Sequence, residues 1–276
     1  MRIGIDIAQQ HLPWVEIESR ARFADEAGFE GLWLFDHFKA MYADPDGPCF
    51  EAWTSLAALA AATERIRLGI LVTGVTYRHP SVLASQAITV DHVSGGRLDF
   101  SLGAAWFEPE HRAFGIPFPP VGERVDRFEE ALTVYKALLT TDAADVDGDH
   151  YRLEAATMRP RPIQEPWPPI WIGASGEARM LPLAARHADV WHCFGDPATL
   201  AHKWQVVRRS CDEIGRDPAE IRRGTNVSLD GDNDDVRRSL DALAAIGITD
   251  VIASWPGSGK GRVEEFAALI DDYREA

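Results

Sequence analysis

The chain has 276 residues, 46% hydrophobic and 26% charged, with a formal charge of −15. That composition excludes a disordered chain, and the acidity argues against nucleic acid or an anionic membrane as partner. Cys49, Cys193 and Cys211 are too few and too scattered for a disulfide framework or a zinc knuckle. No apolar run reaches the roughly 18 residues of a membrane span, and Asp6 interrupts what would otherwise be a leader. The expectation is a cytoplasmic protein that acts on a small molecule and holds no metal.

Strand-like runs alternate with amphipathic stretches from end to end. Strands are expected at 2–7, 31–35, 66–72, 97–102, 169–172, 189–192, 223–228 and 250–253, and helices at 14–27, 50–63, 80–93, 121–139, 177–186, 197–214, 232–246 and 261–273. Runs such as GLWLF and LGILV are apolar on both faces, as parallel strands covered by helices must be. Eight such units fit a single α/β domain over residues 1–276, a (β/α)8 TIM barrel with an insertion before strand 5. The rival is an open doubly wound sheet, but the first strand–helix junction, IAQQHLPW, lacks a glycine-rich phosphate loop. The insertion, 140–168, carries a short hairpin around 147–153 and the proline-rich run RPRPIQEPWPP. It reads as a lid or a spacer.

In such a barrel the active site lies where the strands end. Those ends carry Gln9, Gln10 and His11, then Asp36, His37 and Lys39, then Thr73, Tyr77, Arg78 and His79. Further along come Trp106, Glu108, Glu110 and His111, the GASGE turn at 173–177, and WHCFG at 191–195. Asp36 next to His37 suggests a carboxylate that orients an imidazole for proton exchange. Trp106, Trp191 and Trp255 could wall a flat ring. Gly173, Ala174, Ser175 and Gly176 before a helix offer bare N–H groups to a phosphate. Asp36 with Glu108 or Glu110 also meets the minimum for a glycosidase pair. Cys193 reads as an inert buried thiol.

The motifs GLWLFDHF (31–38), SGGR (94–97) followed by G-x-x-W-x-x-x-E-x-x-x-x-G (103–115), ERVDRFEEAL (123–132), RPRPIQEPWPPIWIGASGE (159–177) and RHADVWHCFG (186–195) span most of the chain. Through them it resembles the luciferase-like superfamily, in particular the branch that uses coenzyme F420, a deazaflavin. The resemblance implies hydride transfer between F420 and a small organic substrate. Alternatives are an FMN-dependent monooxygenase and a non-catalytic flavin or deazaflavin carrier. It also implies catalytic roles for His37, Asp36 and Glu110. Asp36, His37, Leu71, Val72, Thr73, Gly103, Ala104, Ala105, Trp106, Gly173, Ala174, Ser175, Gly176, Trp191 and His192 would contact the cofactor, with a non-prolyl cis peptide at Leu71–Val72. Relatives are often dimers, so a homodimer is one expectation. Two positions depart from the sugar-phosphate dehydrogenase pattern: Trp106 stands near a glutamate's place, and Gln9 or Gln10 stands for another. Sugar-phosphate oxidation is therefore not carried over. The anionic tail would need local cations, and Arg78, Arg159, Arg161 and Arg179 are the candidates.

Overall fold

In a computed structural model describing residues 1–274, eight parallel strands close into a barrel. The strands are β1 (Arg2–Asp6), β2 (Gly31–Leu34), β3 (Arg67–Ile70), β4 (Leu98–Leu102), β7 (Ile170–Gly173), β8 (Val190–His192), β9 (Arg222–Val227) and β10 (Asp250–Ser254). Around the barrel they run β1-β10-β9-β8-β7-β4-β3-β2, so β1 and β7 stand diametrically opposite. The helices that pack outside are α1 (Trp14–Glu26), α2 (Ala52–Ala62), α3 (Pro80–Ser94), α4 (Glu108–Phe114), α5 (Val121–Thr140), α6 (Met180–His187), α7 (Pro197–Ile214), α8 (Asn233–Ala245), α9 (Lys260–Ala267) and α10 (Ile270–Arg274). This is the expected TIM barrel.

The strand alternation sorts the core into two. Ile3, Ile5, Leu32, Leu34, Leu68 and Ile172 face outward and pack under the helices in the main core. The inner face is separate: Trp33, Trp171, Val190 and Ile252 fill the barrel's middle. Trp33 fits only because β1 has no side chain there, since a Cβ on Gly4 would lie 2.9 Å from Trp33 Nε1. Below this layer, at the N-terminal end, Arg67 grips Asp99 with two bonds of 3.0 and 2.8 Å and Arg222 meets Asp250 at 2.7 Å. The floor of the mouth is therefore tryptophan, and the opposite end is plugged by ion pairs.

Helix boundaries follow local chemistry. Glu51 caps α2 by accepting from Trp53 and Thr54 N–H, and His79 caps α3 just before Pro80. The SGGR motif proves structural: Arg97 donates to the carbonyls of Ala60, Thr63 and Ile66, closing the end of α2 against β3.

Two expectations need correction. Residues 108–114 form a helix, α4, that is not among the eight expected; proline is tolerated in a first helical turn. The last helical stretch divides into α9 and α10. The insertion forms the expected hairpin, β5 (Ala144–Asp147) with β6 (Arg152–Ala156), whose turn is held by Glu130 midway along α5. Its tip packs Tyr151 against His79, so it flanks α3 and α5. The following proline-rich segment is tied to α3, where buried Asp91 accepts from Ile163 and Gln164 N–H.

Candidate functional site

The C-terminal ends of the strands form an open mouth, and β2 delivers its most polar residues there. Asp36 and His37 are neighbours just beyond the end of β2, and their side chains find separate partners. Asp36 turns into the protein. Arg78 holds both of its oxygens, Nη1 to Oδ2 at 2.7 Å and Nη2 to Oδ1 at 2.9 Å, and Gly74 N–H donates to Oδ2 at 2.9 Å. Arg78 also contacts Glu51, the cap of α2. Burial pushes the Asp36 carboxyl group upward against the pull of Arg78. Asp36 therefore fixes the loop after β3 and does not orient His37, a correction to the expected pairing.

His37 is oriented by Glu110. Its Nδ1 lies 3.0 Å from Oε2 of that fully buried side chain, while the imidazole keeps 13% exposure. The other carboxylate oxygen accepts Phe38 N–H at 2.7 Å and Lys39 N–H at 2.8 Å, and Tyr77 donates its hydroxyl to Oε2. Burial alone would raise the Glu110 carboxyl group, but donors from His37, Tyr77 and the backbone outweigh it and hold it below the usual carboxylate range. Helix α4 makes this possible by turning both Glu110 and His111 inward; His111 Nε2 lies 2.6 Å from Thr76 Oγ1 and its ring stacks on Tyr77. Glu108, one turn-face away, is exposed and pairs with Arg112. Among the described residues, His37 Nε2 has no protein partner, which leaves it for proton exchange at the mouth.

Aromatic groups stand around this imidazole. Trp106 and Phe107 meet it edge-on at 6.0 and 5.9 Å, and Trp106 is 68% exposed. Across the mouth, buried His192 contacts Asn226 Oδ1 at 2.8 Å, and burial pushes its imidazole down to about 4, so it is neutral at physiological pH. Trp191 does not line the mouth. Adjacent to inward-facing His192, it points outward, is fully buried, stacks on Trp204 and donates to Ala174 O. Trp255 likewise packs outside, against Phe23 and Arg20. Thr73 is buried and accepts from Trp53 Nε1. These three are not free to wall a ring.

Leu71–Val72 is a cis peptide, as the resemblance implies. The Val72 side chain projects between two glycines: a Cβ on Gly103 would lie 2.6 Å from it, and one on Gly173 would lie 3.0 Å away. Leu71, Val72, Gly173, Ala104 and Ala105 are partly exposed around this point, giving a small-residue, apolar surface that fits a flat ring. The Gly173–Gly176 turn needs a correction. Ala174 is buried and donates its N–H to His192 O, and α6 starts at Met180 after an intervening turn. What remains for an anion is the exposed Ser175–Gly176 backbone with Lys203 Nζ 2.7 Å from Ser175 O.

Of the four arginines expected to meet an anionic tail, Arg78 is taken by Asp36. Arg159 and Arg161 pair with Asp142 beyond the C-terminal end of α5, at the far end of the barrel. Only Arg179 lies beside the turn, paired with Asp126. Lys203 was missed because nothing in the sequence shows that α7 brings it to the β7 turn. Asp6 was missed too, although RIGID alternates visibly: Arg2, Gly4 and Asp6 share one face. Asp6 ends β1 on the inner face, half-buried, with burial pushing its carboxyl group up to about 6. Cys49 is no nucleophile, since burial and the Glu110 charge push its thiol up to about 12.

The luciferase-like monooxygenase family model matches residues 1–275. The chain belongs to the luciferase-like monooxygenase family. Relatives of this luciferase-like protein include an uncharacterized protein of Mycobacterium tuberculosis, 30% identical over 253 residues, covering 85% of this chain and 83% of that one. An FMNH(2)-dependent dimethylsulfone monooxygenase of Pseudomonas putida is 33% identical over 186 residues, covering 67% of this chain and 50% of that one. Among solved structures, an F420-dependent secondary alcohol dehydrogenase in complex with an F420-acetone adduct superposes with a TM-score of 0.90, at 18% identity, over 99% of each chain. That likeness shows the shared barrel fold.

Proposed function

We propose that this luciferase-like protein is an F420-dependent oxidoreductase that transfers a hydride between the deazaflavin and a small organic substrate. The observation that carries the reading is the His37–Glu110 pair, an imidazole at the mouth with one nitrogen fixed by a buried carboxylate and the other free. Hydride transfer to or from an organic group is accompanied by proton movement in the site, and such an imidazole is suited to hold or move a proton at Nε2. When bound, the deazaflavin supplies the hydride donor or acceptor; the barrel supplies position and exclusion of water. Lys203 and the Ser175–Gly176 backbone would hold the anionic tail. Val72, with Gly103 and Gly173 leaving it room, would meet one face of the ring, and Trp106 and Phe107 would shield the His37 side. The end-to-end likeness to a dehydrogenase solved with an F420-acetone adduct supports the same reading.

A second reading, an FMN-dependent monooxygenase, is favoured by the 33% identity to the dimethylsulfone enzyme. Anaerobic titration separates the two. The expected result is saturable quenching of tryptophan fluorescence by F420, followed by oxidation of reduced F420 when a panel of ketones and imines is added. Protein that ignores F420 and is purified yellow with FMN overturns the proposal in favour of the monooxygenase.

A further inference from the structure

The mouth contains a carboxyl group that the reading above leaves without a task. Asp6 is the last residue of β1, in register with Trp33 on β2 and Ser254 on β10. It shares the inner face with Gly4, which packs on Trp33, so its side chain rises directly above the tryptophan floor. Oδ1 accepts Ala8 N–H at 2.9 Å; among the described residues Oδ2 has no hydrogen-bond partner.

Among the described residues no charged side chain hydrogen-bonds or pairs with this carboxyl group. β2 brings Trp33 against it, β10 brings Ser254 and the following turn brings Ala8, none of them ionisable. The inner-face cations Arg2, Arg67 and Arg222 lie at the other end of the barrel, paired with Glu30, Asp99 and Asp250. The imidazoles at the mouth are His37, held by Glu110, and His192, which is neutral. No charged side chain contributes to the raised position of Asp6; burial is the main cause and one N–H opposes it.

Topology then places Asp6 relative to any ligand anchored at the Ser175–Gly176 turn. That turn follows β7, and β7 is opposite β1 in the barrel, so a molecule reaching from the turn across the mouth ends over Asp6. Covering a half-buried carboxylate that has no cation nearby removes its remaining water, and the charged form is then strongly disfavoured. The group must take up a proton, which it can donate as a hydrogen bond to the ligand.

We propose that Asp6 is the acid of this site, a carboxyl group that becomes protonated when a ring ligand closes the mouth and that donates its O–H to a polar atom of the bound molecule. This rests on the cofactor reading for the identity of the ligand and extends it to a residue with no role so far. During reduction of a carbonyl substrate, a hydride arrives at carbon and the C=O π pair moves to oxygen. The Asp6 O–H bond then breaks, its proton goes to that oxygen and its electron pair stays on the carboxylate. The carbonyl is reduced to an alcohol; a bound reduced deazaflavin would supply the two electrons as hydride, the ring proton released with them would pass to His37 Nε2, and solvent reprotonates Asp6.

The test is proton linkage of binding, which needs no turnover. Isothermal titration of F420, and in parallel FMN, into wild type and Asp6→Asn is run at pH 7.5 in buffers of different ionisation enthalpy. Wild type is expected to take up close to one proton per ligand bound and to lose affinity about tenfold per pH unit above its midpoint. Asp6→Asn is expected to show neither effect, and Asp6→Ser serves the same comparison should the asparagine variant fail to fold. F420 binding with equal proton uptake in wild type and variant overturns the role of Asp6 while the cofactor reading stands. FMN binding in place of F420, with the wild-type excess of proton uptake intact, overturns the deazaflavin reading and supports Asp6.

Discussion

His37 Nδ1 and Glu110 Oε2 lie 3.0 Å apart although 73 residues separate them in the chain. The pair joins the loop after β2 to α4, and Glu110 holds that loop by three further bonds, from Phe38 and Lys39 N–H and from Tyr77. One buried carboxylate thus sets both the course of the backbone and the orientation of the imidazole on it.

Replacing this carboxylate separates the two tasks. Glu110→Ala leaves two backbone N–H groups unpaired and is expected to cost about 2–4 kcal/mol of stability. Glu110→Gln keeps the shape and an acceptor but removes the charge facing His37. It is expected to lower kcat/KM about tenfold or more with F420 affinity changed less than about twofold. Because the Glu110 carboxyl group is held low, its stabilisation is present above about pH 4.3 and is lost as pH falls through the folded value. The Tm difference between wild type and Glu110→Gln should therefore shrink toward pH 3. A difference that is constant with pH would contradict the assignment.

Arg78 and Asp36 form a pair with side chains only 9% and 1% exposed. Removing the cation alone leaves a buried carboxylate without its partner, and Arg78→Met is expected to destabilise by about 3–5 kcal/mol, a Tm loss on the order of 10 °C. The double variant Asp36→Asn/Arg78→Met should recover a large part of that loss, read by thermal melts as a double-mutant cycle. Additive losses would mean that Arg78 answers mainly to Glu51.

The barrel was legible because strands apolar on both faces alternate with capped amphipathic helices, and that period survives in any one stretch of chain. The site was legible only where position along a strand decides it. His37 and the end of β3 fall at strand ends, so the fold alone brings them to the mouth. The partner of His37 was not legible, because adjacency suggested Asp36 whereas the true partner, Glu110, comes from α4, 73 residues away. Trp191 was misplaced for a related reason: β8 is VWH, three residues buried on both faces, and nothing in it shows which face is inner. Lys203 reaches the β7 turn from α7, a contact between elements that no spacing encodes.

Lys203 supplies the nearest ammonium to the exposed Ser175–Gly176 backbone, and Glu177 shares it at 3.7 Å. Lys203→Ala is expected to raise the Kd for F420 about fivefold, equivalent to about 1 kcal/mol, with the effect shrinking as salt increases. The phosphate-free deazaflavin fragment should bind wild type and variant alike. Equal weakening of both ligands would move the anionic tail away from this turn.

Asp6 carries a pH signature of opposite sign to that of Glu110. Its carboxyl group titrates at about 6 in the folded protein, against an ordinary value of 3.8. Between those values the folded protein keeps a proton that the unfolded chain has lost, so stability falls as pH rises from about 4 to about 6 and stays reduced above. The full shift corresponds to about 3 kcal/mol, and screening of a half-buried group reduces this to about 1–2 kcal/mol. Asp6→Asn removes the charge that causes the loss. It is expected to raise Tm at pH 7.5 by about 2–6 °C and to leave it unchanged at pH 4, measured by calorimetry on the ligand-free protein. A residue kept at a cost to stability is one whose charge state serves the site, as in other stability–activity trade-offs. An asparagine variant that melts lower than wild type at pH 7.5 would show instead that Asp6 stabilises the β1 turn through Ala8.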